Sequence, residues 1–245
     1  MGSSSGSVNA SLGDLVTSAF VFIPLLLVLA LVLGAAAAWR LSGATPRATA
    51  SVSITVAVLS LAWIVLSVVL AESGILRQWT ATPPPFGLFI FAIAILSIVI
   101  AFSPFGARLA RYLPLAALVG VQAFRLPLEL AMHAMYERGV MPQQMSYSGR
   151  KFDIVTGSTA ILVAALVAAG RGGRTLVALW NVMGLALVLN VVMVAILSTP
   201  AFRYFGDQRL NVWVTYSPFV LLPSVMVLAA FAGHLLIFRA LRYAR

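Results

Sequence analysis

Seven apolar runs separated by short polar connectors dominate the chain. They cover Leu15–Ala38, Ala50–Ala71, Phe86–Phe102, Leu113–Tyr136, Ile154–Gly170, Thr175–Leu197 and Val214–Phe238. A helix needs about 20 mostly apolar residues to cross about 30 Å of hydrocarbon. All seven runs meet that length or come close to it; the fifth is short. The fifth and sixth are divided by Gly170-Arg171-Gly172-Gly173-Arg174, three glycines and two charges that do not belong inside a helix in lipid. The pattern predicts an all-α, polytopic transmembrane bundle of seven spans. Residues 1–13 read as a flexible polar N-terminus and 14–245 as a single seven-helix transmembrane domain. The first run has no basic segment before it, so it reads as a span rather than a signal peptide.

Composition agrees with the pattern. Of 245 residues, 62% are hydrophobic and 9% charged, against about 25% charged in soluble domains. Zero cysteine excludes disulfides, thiolate metal sites and cysteine nucleophiles. The net charge of +10 is spread in clusters between apolar runs, which reads as topology and not as a nucleic-acid surface. With the N-terminus outside, the inner connectors carry Arg40, Arg47, Arg108, Arg111, Arg171, Arg174, Arg239, Arg242 and Arg245, nine cations and no acid. The outer side carries six cations and five acids. This excess places the C-terminus in the cytoplasm. Interfacial Trp and Tyr are expected at both ends, among them Trp39, Tyr112, Trp79, Tyr147 and Trp213.

The fourth run carries the chemistry. At about 100° per residue, Gln122, Arg125, Glu129, His133, Tyr136 and Glu137 fall on one third of the helix circumference. Arg125 lies near mid-membrane by helix rise, with Glu129 and His133 further out. Ionisable groups at that depth cost about 2.5–3.5 kcal/mol each on insertion scales, so they face the interior and require partners. The spacing offers Arg125–Glu129 and Glu129–His133 as i, i+4 pairs. Pro127 is expected to interrupt the helix locally. In the next connector, Asp153 reads as the N-cap of the fifth span, and Arg150 or Lys151 can fold back over Glu129 and Glu137 to form an outward-opening vestibule. The small patch Thr156-Gly157-Ser158-Thr159 lets another helix come close. Asn190 in the sixth run lies near the level of Glu129. A second, inner polar cluster of Trp180, Asn181 and His234 reads as helix–helix glue, with a hydrogen bond from Asn181 to His234. Pro218 and Pro223 are expected to kink the seventh run.

These residues leave three readings open. One is a buried site for a proton, an ion or a small polar or anionic solute, built from Gln122, Arg125, Glu129, His133, Asp153 and Asn190. The second is a purely structural ion-pair network in a subunit of a membrane complex. The third is a lipid-modifying enzyme using Glu129 and His133 as acid and base. No cofactor and no metal are expected: His133 and His234 lie at different depths and cannot share one iron. A retinal Schiff base needs a buried Lys in the seventh run, which has none, and Lys151 lies in a connector. Expected partners are the lipid bilayer, a small polar ligand, and a second copy or a membrane-complex subunit; nucleic acid is not expected.

The stretch Phe124-Arg125-Leu-Pro-Leu-Glu129, then His133, Met141-Pro142, Met145 and Gly149 to Gly157, resembles a family of bacterial multi-spanning integral membrane proteins without a known activity. Trp180-Asn181, Gly184, Pro223 and His234-Leu235 resemble it too, while Lys151 stands where that pattern has Asn. The resemblance covers roughly the C-terminal half. It implies a bacterial inner-membrane location and points to the same Arg, Glu and Asp positions.

Overall fold

The computed structural model describes residues 15–243, and these form an all-α architecture without strands. The polar segment 1–13 and Asp14 lie outside the described residues. The first two helices, α1 (Leu15–Leu41) and α2 (Pro46–Glu72), form a hairpin. The turn is built from Gly43 in a left-handed conformation (φ 78°), and Thr45 caps α2 by accepting from the Ala48 N–H at 3.3 Å. α3 (Pro85–Phe102) follows. The expected inner connector after it contains a short amphipathic helix, α4 (Pro104–Tyr112), capped by the Ser103 hydroxyl, which accepts from the Gly106 N–H at 3.1 Å.

The fourth expected span is interrupted. α5 (Leu115–Val121) passes through a 3-10 turn at Gln122–Phe124 and resumes as α6 (Arg125–Glu137). Pro127 sits in the first turn of α6, where its missing N–H costs the helix little. The last two long helices are α8 (Arg174–Leu197) and α9 (Leu228–Leu241), and a π-helix at Leu222–Val227 leads into α9. Pro223 lies inside that π segment: a proline has no N–H for the α ladder, and the register shifts rather than bending sharply.

Among the described residues, six helical stretches are long and apolar enough to cross a membrane: Val16–Leu41, Pro46–Glu72, Pro85–Phe102, Leu115–Glu137, Arg174–Leu197 and Leu222–Leu241. The fifth run, already short in the sequence, is not among them. α7 (Ile154–Ala168) has 15 residues, a rise of about 22 Å. It packs along α5 and the start of α6. A Cβ on Gly157 would run into the backbone of Arg125 and Leu126, and Gly120 of α5 faces Ala164. The connector 138–153 leads into α7. That connector folds into the bundle, where Met141, Gln144, Met145, Ser146, Lys151 and Asp153 are all buried.

Large apolar side chains such as Leu26, Leu33, Ile54, Leu59 and Phe91 are exposed on the outside, as expected where hydrocarbon is the solvent. Inside lie two apolar clusters. One contains Phe20, Leu128, Met132, Trp213, Phe219 and Leu222; the other contains Leu109, Val119, Ala160, Val163, Val177 and Ile237. Trp213 is thus a core residue packed edge-on against Phe20 and Phe219, not an interfacial anchor. Gln122, Arg125 and Glu129 of the fourth span are buried alongside them.

Candidate functional site

Four charged side chains and one histidine meet in the bundle interior. The guanidinium of Arg125 places Nε 3.1 Å from Asp153 Oδ2 and Nη1 3.1 Å from His234 Nε2. Lys151 places Nζ 2.6 Å from Glu129 Oε1 and 2.8 Å from the Met132 sulfur. Arg125, Glu129, Lys151, Asp153 and His234 are each at most 5% exposed. The cluster holds two cations and two anions, so its formal charge is zero with the histidine neutral. Such balance is the condition on which charges persist in a low-dielectric interior.

The histidine's protonation follows from its bonds. Asn181 Nδ2 donates to the His234 carbonyl at 3.0 Å, which leaves Asn181 Oδ1 to accept from His234 Nδ1–H at 2.7 Å. Nε2 then carries no proton and accepts from Arg125. His234 and Asn181 therefore orient the guanidinium, and the inner cluster expected from the sequence is continuous with the Arg125 site. Trp180 lies at its edge, donating from Nε1 to Thr159 Oγ1 at 2.9 Å, with its ring 5.8 Å from the imidazole. Small residues make this approach possible. A Cβ on Gly184 of α8 would run into the His234 ring, and the bare face of Gly157 admits the α5–α6 backbone.

The local pairing expected from spacing is corrected. Arg125 and Glu129 do not serve as each other's main partner; each takes one residue from the re-entrant connector. The geometric cause is that a connector folded into the bundle brings Asp153 and Lys151 in from the side. Asp153 does occupy the N-cap position of α7, but its carboxylate makes no capping bond and is directed to Arg125. Of the two basic residues expected to fold back, Lys151 does so. Arg150 instead lies over the Phe205 ring at 5.3 Å. In place of an outward-opening vestibule the charges form a buried cluster.

Two expected members stand elsewhere. His133 belongs to a half-exposed outer group: Nδ1 is 2.8 Å from Ser146 Oγ, Nε2 is 3.5 Å from Glu137 Oε1, and the ring stacks on Tyr147 at 4.3 Å. It is thus engaged apart from Glu129, and the acid–base pairing of the enzyme reading loses its support. Asn190 donates to the Arg150 carbonyl at 2.9 Å and ties the connector to α8. Gln122 is fully buried and its amide donates weakly to the Ala230 carbonyl at 3.4 Å.

The network is incompletely bonded. Arg125 Nη2, Glu129 Oε2, Asp153 Oδ1, Gln122 Oε1 and Thr156 Oγ1 are buried without a partner. Arg125, Lys151 and Asp153 line a cavity of about 20 Å³, whose other lining residues are apolar, including Leu128, Val191 and Met226. A space of that size accommodates about one water molecule.

Residues 84–242 match the model of a family described as a domain of unknown function (DUF8737), and the chain belongs to that family. The match takes in the whole polar network and leaves out the α1–α2 hairpin. No curated protein and no solved structure matches the chain.

Proposed function

We propose that this member of the DUF8737 family is a multi-pass protein of a bacterial inner membrane that binds a proton or a small polar or anionic solute at the Arg125 cluster and passes it across. The arginine-rich end faces the cytoplasm in this reading, and the connector 138–153 with α7 makes a fifth of seven crossings. One observation carries the proposal. Donor and acceptor atoms of Arg125 and Asp153 remain unpartnered beside a water-sized cavity. Ionisable groups inside a membrane bundle that offer lone pairs and donors to such a space mark ion and proton pathways. Asp153 Oδ1 and Glu129 Oε2 offer free lone pairs for a proton, and Arg125 Nη2 offers a donor for an anion.

The test is flux in proteoliposomes made with the full chain. Glu129→Gln and Asp153→Asn are expected to reduce proton or solute flux at least tenfold. Parent-like flux in both variants removes the transport reading.

A second reading, a structural lock in a complex subunit, is favoured by the equality of positive and negative charges and by the tightness of the cavity. It predicts that Lys151→Met/Glu129→Gln restores the stability lost in Lys151→Met while no flux exists to be changed.

A further inference from the structure

Two cavities of about 20 Å³ each are neighbours in the bundle, with Val191, Leu222 and Val227 common to both linings. They are alike in size and opposite in chemistry. One is lined by Arg125, Lys151 and Asp153, whereas Asn211 is the single polar side chain lining the other. Each has room for about one water molecule. A buried water is held where about two to four polar partners meet it, and an apolar space stays dry.

The bonds already made decide which atoms remain for such a water. Arg125 uses Nε on Asp153 and Nη1 on His234, so Nη2 remains. Asp153 meets Arg125 through Oδ2, so Oδ1 remains. Lys151 Nζ faces Glu129 Oε1 and the Met132 sulfur, which leaves one N–H of the ammonium. Two donors and one acceptor, from three different side chains, match the roughly three hydrogen bonds that a buried water makes.

We infer that one water molecule is bound here, accepting from Arg125 Nη2–H and Lys151 Nζ–H and donating to Asp153 Oδ1, and that the ligand the cluster handles is accordingly the proton. This rests on the Arg125 cluster being a transport site and narrows what it transports: an oxyanion or an organic solute has more heavy atoms than the space holds. The step balances without a co-reactant. A proton reaches the bound water and makes it hydronium. One hydronium O–H bond breaks, a new O–H bond forms at Asp153 Oδ1, and the water is left in place. With Asp153 protonated, Arg125 and Lys151 face Glu129 alone and neutral His234, so the cluster carries one net positive charge. A low-dielectric interior disfavours that state, and the proton is relayed rather than stored.

The experiment has a structural and a functional arm, both with the full chain. A lipidic-mesophase crystal structure that resolves ordered water is expected to show one water within hydrogen-bond distance of Arg125 Nη2 and Asp153 Oδ1, and none in the Asn211-lined cavity. Water in both spaces, or in neither, overturns the inference. In proteoliposomes, a sealed pH-sensitive dye is expected to report proton flux, with no uptake of radiolabelled chloride or phosphate. Ala230→Val on α9 adds methyl groups to the polar cavity's lining and is expected to cut proton flux at least tenfold. Val191→Ala on α8 widens the wall that the two cavities share and is expected to keep parent-like flux or raise it. Parent-like flux in Ala230→Val overturns the relay, and so does an equal loss in both variants, which would report packing and not water. Chloride or phosphate uptake that Asp153→Asn abolishes keeps the proposed function and overturns the inference. Ordered water with neither proton nor solute flux overturns both.

Discussion

The fourth span carries two i, i+4 pairs on one face, and they end differently. Arg125 and Glu129 are almost wholly buried, and each takes its principal ionic partner from the connector. His133 and Glu137 contact each other at 3.5 Å, with the Glu137 side chain 65% exposed. Spacing therefore decides which face a charge lies on, but depth decides what it requires. Near water, a local contact and solvent suffice. In the interior, each charge is met by a counter-charge from another part of the chain, because an unmatched ion there costs several kcal/mol.

The contrast can be broken at several points, starting with the strongest. Arg125→Ala leaves Asp153 without its counter-charge and His234 without its donor. It is expected to cost about 3–5 kcal/mol, seen as loss of a monodisperse peak in size-exclusion chromatography or a large fall in Tm in detergent. Lys151→Met strands Glu129, with a loss of about 3 kcal/mol. The double variant Lys151→Met/Glu129→Gln should recover most of the Tm, whereas an additive loss would mean that the two side chains do not act as a pair. Gly184→Ala drives a methyl into the His234 ring and is expected to cost about 1–3 kcal/mol through overpacking, with altered imidazole chemical shifts as the direct readout. Smallest is Glu137→Gln in the outer pair, within about 1 kcal/mol of the parent. If Glu137→Gln destabilised as much as Lys151→Met, depth would not be the deciding variable.

Much of this arrangement was legible in the sequence, for identifiable reasons. A 3.6-residue period placed Gln122, Arg125 and Glu129 on the interior face, and a 3-10 turn at Gln122–Phe124 does not move them off it. The Asn181–His234 bond follows from two polar residues at matching depth, and of Arg150 and Lys151, both within reach of Glu129 by sequence, it is Lys151 that pairs with it. The union of the two clusters was not legible. Depths counted from span ends assume continuous α-helices with connectors outside. Here α7 is short, the last span begins as a π-helix, and the connector enters the bundle. Hydropathy gives no warning of the last point, because a segment rich in Gln, Ser, Arg and Lys has the composition of a solvated loop. His133 shares the face of Glu129 but lies closer to the surface, where Ser146 and Tyr147 reach it.

The inward fold of residues 138–153 sets an order of events during synthesis. The helix bearing Arg125 and Glu129 leaves the ribosome before Lys151 and Asp153 exist, and His234 is made later still. Keeping that helix in a wet or protein-lined environment until the trailing segment swings in beside it avoids the cost of exposing both charges to lipid. Release into lipid is then a property of a hairpin, not of a single helix, and a chain truncated before Lys151 should remain beside the translocon instead of partitioning into the bilayer.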